Sequence, residues 1–140
     1  MPERTFLNVD LDVESKEDLA PLAAEFGEDA IVLHCGPIDT GFFMRIESAR
    51  QWKTPDGAIH AICRLVEGLT AEGRTRWDSS DRRVFDVGVE VASSRREVGF
   101  ALRTGSLKRV AQLGAGLAVT IYHAEGTELP ASGDRDKRRA

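Results

Sequence analysis

Four stretches of this chain alternate apolar and polar residues with a period of two, and that alternation limits its fold more than any other feature. Over residues 6–13, Leu7, Val9, Leu11 and Val13 fall on one side, while Asn8, Asp10 and Asp12 fall on the other. Residues 42–48 repeat the pattern, with Phe42, Met44 and Ile46 against Phe43, Arg45 and Glu47. Residues 83–92 set Phe85, Val87, Val89 and Val91 against Asp86, Gly88 and Glu90, and residues 117–123 set Leu117, Val119 and Ile121 against Ala118, Thr120 and Tyr122. A strand turns successive side chains to opposite faces, so each segment reads as a strand with one buried face. A sheet covered on both faces would show unbroken apolar runs instead, so one face of this sheet is expected to stay open.

The segments between these strands carry helical spacing. Leu19, Leu22, Ala23 and Phe26 form a short apolar stripe; Asp18 is the expected N-cap, Pro21 sits in the first turn and Gly27 ends the helix. Residues 30–35 read as a second strand, joined by the turn formers of residues 36–41 to the strand at 42–48. Asp56 is the expected cap of a helix whose face is Ile59, Ile62, Cys63, Val66 and Leu69. The polar stretch 70–81 reads as a loop, and Trp52 and Trp77 read as loop residues plugging the edge of the core. After a turn at 93–96, Val98, Phe100 and Leu102 suggest a further strand, and Thr104-Gly105-Ser106 opens a helix that ends at Gly114.

The expected order is β-α-β-β-α-β-β-α-β. It describes an α+β two-layer sandwich, a mixed sheet of about six strands with three helices on one face, whose first six elements have a ferredoxin-like order. Residues 1–125 read as a single domain and residues 126–140, which lack apolar periodicity, as a flexible tail.

Composition narrows the function classes. With 140 residues, 41% hydrophobic and 30% charged, the chain has ordinary globular make-up. No apolar run approaches the roughly 20 residues that span a bilayer, and Met1-Pro2-Glu3-Arg4 leads into no signal-like apolar core. No membrane association and a cytoplasmic location are therefore expected, with Cys35 and Cys63 reduced and buried as small apolar residues. The net charge is −4, and the last ten residues hold four basic against two acidic side chains, so the body is more acidic still. An acidic body repels phosphate backbones, so no nucleic-acid partner is expected.

Motifs of catalysis are missing. There is no G-x-S-x-G elbow and no phosphate-binding G-x-x-x-x-G-K, and Gly114-Ala115-Gly116 follows a helix, the reverse of a dinucleotide loop. His60 and Cys63 share a helix, but only one of His34 and Cys35 can point toward it, too few ligands for zinc without His123. No metal and no cofactor are expected. Chemistry, if any, belongs to the open face, where the candidate binding residues are Asp10, Asp12, Arg45, Asp86, Glu90, Arg103 and Tyr122, beside Asn8, Glu47 and Thr120. Asp10 and Asp12 stand about 6.5–7 Å apart along one strand, a spacing suited to a hydrated Mg²⁺ or to ion pairs with Arg45 and Arg103.

The second half also carries a resemblance. Trp77-Asp78, the strand Arg83-Val84-Phe85-Asp86-Val87-Gly88-Val89, the helix end Ala111-Gln112-Leu113-Gly114-Ala115 and the strand Val119-Thr120-Ile121-Tyr122 resemble small bacterial domains of unknown function, some of them immunity-protein-like. The likeness covers roughly residues 77–123 and rests on core and turn positions, so it transfers no catalytic residue. It bears on the fold more than on the function; the acidic open face itself suggests a small protein-binding domain, immunity-like by this resemblance, that engages a protein partner, or its own copy as a homodimer. The alternative is a small-molecule-binding domain or an enzyme using the strand carboxylates.

Overall fold

The structure, a computed structural model, describes residues 5–92, 97 and 99–124. The chain runs β1 (Phe6–Ser15), α1 (Ala20–Phe26), a 3₁₀ turn (Gly27–Asp29), β2 (Ala30–Ile38), β3 (Gly41–Ser48), α2 (Pro55–Glu67), α3 (Ala71–Ser79), β4 (Arg82–Val91), α4 (Thr104–Gln112) and β5 (Gly116–His123). The strands form one mixed sheet in the order β2-β3-β1-β4-β5. Each adjacent pair is antiparallel except β4 and β5, which run parallel. The fold is thus α+β, with one five-stranded sheet and four helices among the described residues.

The alternation does what it implies in the three middle strands. Val9, Leu11 and Val13 of β1, Met44 and Ile46 of β3, and Phe85, Val87 and Val89 of β4 are buried in one core with residues from all four helices. The helices therefore share one side of the sheet, and the other side stays polar. α2 supplies the largest helical share through Ile59, Ile62, Cys63 and Val66, each fully buried. Burying a side chain of this size stabilises by about 1.5–3 kcal/mol. Arg83 ties the ends of two helices together: its guanidinium donates to the carbonyls of Trp77, Ser80 and Gly114, at and just beyond the C-termini of α3 and α4. Gly114 ends α4 with a φ of +73°, which only glycine takes without strain.

Several expectations change. Residues 70–81 are not a loop: α3 occupies most of them, capped by Thr70, whose Oγ1 accepts the Gly73 N–H. Trp77 is the sole large apolar side chain this helix buries, so there was no periodicity to read. Its indole is fully buried and donates to the Leu113 carbonyl at 2.8 Å, which joins α3 to the end of α4. α3 lies between α2 and β4, so the order also departs from a plain ferredoxin-like β-α-β-β-α-β start. The strand expected over residues 98–102 is absent among the described residues, Val98 lying outside them. The edge of β4 that a hairpin would need is taken by β5 in parallel, and a parallel neighbour demands a long crossover, here carrying α4.

Smaller shifts have local causes. A bulge between Phe6 and Asn8 sets Phe6, not Leu7, opposite Val89 on the core side. Thr54, not Asp56, caps α2, with Pro55 at the first helical position. Leu19, not Asp18, is the N-cap of α1, although the Asp18 side chain accepts the Ala20 N–H. Cys63 is fully buried, and burial pushes its thiol up to about 11, whereas Cys35 is only half-buried; both are free. Leu117, Val119 and Ile121 lie in register with Phe85, Val87 and Val89 on the helix side, yet remain 38%, 48% and 61% exposed. α4 packs mainly against α2 and leaves this edge strand uncovered. The tail over residues 126–140 and the turn at 93–96 lie outside the described residues.

Candidate functional site

The open face is organised by the register of β1 with its two neighbours. Asp10 lies opposite Glu47 of β3 on one side and opposite Asp86 of β4 on the other. Neighbouring strands are about 4.8 Å apart, so Glu47, Asp10 and Asp86 form a row of three carboxylates across the middle of the sheet. The next row pairs Asp12 with Arg45, whose Nε and Nη2 donate to the two carboxylate oxygens at 2.7 and 2.8 Å. This is the bidentate fork that suits arginine to a carboxylate, and Arg45 also stands 3.9 Å from Asp10. On the other flank Asn8 donates to Asp10 at 3.0 Å and to Glu47 at 2.9 Å, bridging two carboxylates with one amide. Gly88 lies opposite Asn8, and a Cβ there would stand 3.0 Å from Asn8 Oδ1, so glycine leaves the amide its room. Thr120 of β5 donates its hydroxyl to Asp86.

Asp10 feels this arrangement most. Burial is the largest influence and raises its pKa; Arg45 opposes it, while Glu47, Asp12 and Asp86 add to it, leaving the carboxyl at about 6 instead of its ordinary 3.8. Arg45 is held protonated even more firmly than usual, chiefly by its hydrogen bonds to Asp12. The face thus concentrates negative charge and holds one carboxyl that takes up a proton in mildly acidic solution.

Of the residues singled out in the sequence, Asp10, Asp12, Arg45 and Asp86 come together. Glu90 and Tyr122 face each other across β4 and β5, but Glu90 is four residues beyond Asp86, about 13 Å along the strand. Arg103 is not on this face. It is the N-cap of α4, and its backbone N–H donates to Asp56, so the ion pair expected with Asp10 or Asp12 does not form. Among the described residues, no three His, Cys, Asp or Glu side chains are grouped to hold a metal ion. His34 lies on the open side against the Phe43 ring, opposite Arg45, while Cys35 pairs with Met44 on the core side. His60 is engaged elsewhere.

A cleft of about 300 Å³ opens at the end of this face, where β3 leaves the sheet and β1 continues. Asn8, Glu47 and Ile31 border it from the sheet, and Arg50 and Trp52 from the following loop, where the guanidinium stacks 4.4 Å from the indole ring.

A second polar cluster, not read from the sequence, joins α2 to α4. Ser106, fully buried, contacts Asp56 Oδ1 at 2.5 Å and His60 Nε2 at 3.1 Å, and Arg109 contacts His60 Nδ1 and pairs with Glu67 at 2.6 Å. Serine, histidine and aspartate in contact suggest a catalytic triad, but the donors run the wrong way. Arg109 has only N–H donors, so His60 Nδ1 must accept and Nε2 must carry the proton. His60 then donates to Ser106, and Ser106 donates to Asp56, whereas a nucleophilic serine would give its proton to the histidine. The serine also has no access to a substrate. Burial works to raise the Asp56 pKa, but the hydrogen bonds from Ser106 and the Arg103 N–H outweigh it and hold the carboxyl below its ordinary value. Asp56 thus serves α4 as an N-cap borrowed from α2. The only sequence trace is Asp56 and His60 at i, i+4 and Ser106 and Arg109 at i, i+3, which needs the helix pairing to gain meaning.

Comparison with protein-family models, curated proteins and solved structures finds no match to this chain.

Proposed function

We propose that this chain is a small, immunity-like protein-binding domain that receives a basic protein surface on the open face of its sheet. The observation that carries the reading is where the charge lies. The open face presents Asp10, Asp12, Glu14, Glu47, Asp86 and Glu90 against Arg45 and Arg82. Of the 18 acidic and 12 basic side chains among the described residues, this face takes six and two, which leaves 12 and 10 elsewhere. Of the net formal charge of −6 that the described residues carry, −4 therefore sits on one face. Like charges directly opposite each other destabilise a sheet, and a surface with a purely structural role has no use for such a row. A concentrated acidic face speeds encounter with a basic partner and disfavours acidic ones.

The test is capture from host lysate by the wild type and by the triple variant Asp10→Asn, Glu47→Gln, Asp86→Asn, with partners identified by mass spectrometry. A basic protein held by the wild type, released by added salt and not captured by the variant is the expected result. Equal capture by both chains, or capture of no basic protein, overturns the proposal. The cleft beside Asn8 and Glu47 supports a second reading, a small ligand seated against Trp52. A ligand present at about 100 times its Kd would stabilise the fold by about 2.7 kcal/mol in a thermal-shift screen, and a flat screen removes that reading.

A further inference from the structure

A second cleft, of about 390 Å³, opens between α2 and the loop that leaves β3. Ala61 and Leu65 of α2, with Ala49 and the Trp52 indole from the loop, form its apolar wall. One hydroxyl fixes the loop: Ser48 Oγ accepts the Arg50 N–H at 3.3 Å and the Trp52 indole N–H at 3.2 Å. α2 gives way to the indole in its first turn. A Cβ at Gly57 would stand 2.9 Å from the ring carbon Cε3, so a residue that weakens the helix makes room for the ring. Two guanidiniums border the cleft, Arg50 from the loop and Arg64 from α2. Neither makes an ion pair with any described residue, whereas Arg45, Arg74, Arg82 and Arg109 each pair with a carboxylate. Arg50 lies over the Trp52 ring at 4.4 Å, which holds it in place and leaves its N–H donors, spread in the guanidinium plane, for another acceptor. Among the residues lining this cleft Asp29 is the one carboxylate, so the rim carries a net charge of +1 in a molecule whose described residues total −6.

We infer that this cleft binds a small aromatic carboxylate. A flat apolar ring matches the wall of Trp52, Leu65 and Ala61, and aromatic pairs add to the area they bury. A single negative charge balances the rim, and a planar carboxylate accepts two parallel N–H bonds from a guanidinium fork. A cation of the same shape would face Arg50 and Arg64, and a neutral body would leave both without an acceptor. Size sets the body. Ligand pockets run from about 300 to 1,000 Å³, and this one lies at the small end, which suits one or two fused rings. The site depends on Trp52 serving as a ligand seat, as in the second reading above. It adds the ligand's charge and brings in Arg64, which does not line the cleft beside Asn8 and Glu47.

The chain has two tryptophans and Trp77 is fully buried, so the two indole N–H signals of a ¹⁵N-labelled sample report the site directly. Trp52→Phe assigns them. Titration with 2-naphthoate at neutral pH should move the Trp52 signal to saturation and leave that of Trp77 in place. Neutral 2-naphthol and cationic 2-naphthylmethylamine carry the same rings without the carboxylate, and each should bind at least about tenfold more weakly. Arg50→Gln and Arg64→Gln should each weaken 2-naphthoate by about tenfold. Arg64 is an exposed helical residue, so its variant keeps the fold even if the loop at Arg50 does not. Lys108→Gln removes the same charge from α4 and should change the affinity by less than about twofold, because an exposed charge beyond a Debye length is screened. If no compound moves the Trp52 signal at about 2 mM, the site is overturned. If 2-naphthol binds as tightly as 2-naphthoate, or Arg64→Gln changes nothing, the carboxylate site is overturned while a ligand against Trp52 stands.

Discussion

Replacing Asp10 by asparagine should stabilise the fold, and should do so only where the carboxyl would be ionised. Asp10 has a side chain 17% exposed and lies between Glu47 and Asp86, so its charge is poorly solvated and repelled from both sides. Its folded-state pKa of about 6 is about two units above the ordinary 3.8. At 1.36 kcal/mol per unit, ionising Asp10 costs the native state about 3 kcal/mol relative to the unfolded chain. The attraction of Arg45 is already inside that net shift. Because the folded value is raised, the contribution of Asp10 to stability is complete below about pH 3.8 and is lost as the pH climbs through 6. Asparagine never ionises, and its side-chain oxygen can still accept from Asn8. The variant should therefore exceed the wild type by as much as about 3 kcal/mol at pH 7.5, the difference shrinking to near zero at pH 4. Urea denaturation followed by circular dichroism, at intervals across that range, measures it. The other carboxylates titrate in both chains and drop out of the difference to first order. A variant less stable at pH 7.5, or a difference that does not change with pH, would show that the carboxylate row is not repulsive and would refute the reasoning.

Arg45→Ala leaves Asp12, only 7% exposed, without its bidentate partner; with the guanidinium itself partly solvated, we expect a loss of about 1–3 kcal/mol in the same denaturation assay. Ser106→Ala breaks the link from His60 to Asp56 and should cost about 1–2 kcal/mol, while a fluorophosphonate probe should leave wild-type Ser106 unmodified by mass spectrometry. Labelled Ser106 would reverse the donor assignment. Trp77→Ala should cost about 3–5 kcal/mol, because it empties a fully buried site and strips the Leu113 carbonyl of its indole donor.

Periodicity carried the sheet. The alternation of β1, β3 and β4 belongs to single strands, so it names both the buried face and the open one before any partner strand is known. The same is true of α2, whose apolar stripe needs only the helical repeat, and of Gly114 as the end of α4. Local pattern fails where a single side chain does the work. α3 buries Trp77 with Gly73 and little else, and Thr70 as its cap could equally have begun a turn. The apolar residues of β5 have the right facing, but whether they are covered depends on where α4 lies, which their own spacing does not state.

The open face shows the division most plainly. The sequence by itself determined that Asp10, Asp12, Arg45 and Asp86 share a side of the sheet, because facing follows from a residue's position within its strand. Only the tertiary structure decided that Glu47, Asp10 and Asp86 stand in one row, that Arg45 joins Asp12, and that Arg103 belongs to a helix cap instead. Strand order and register arise from how the helices close over the core, and slipping one strand by two residues would preserve every facing while dissolving the row. The charges were legible one strand at a time; their repulsion exists only across strands.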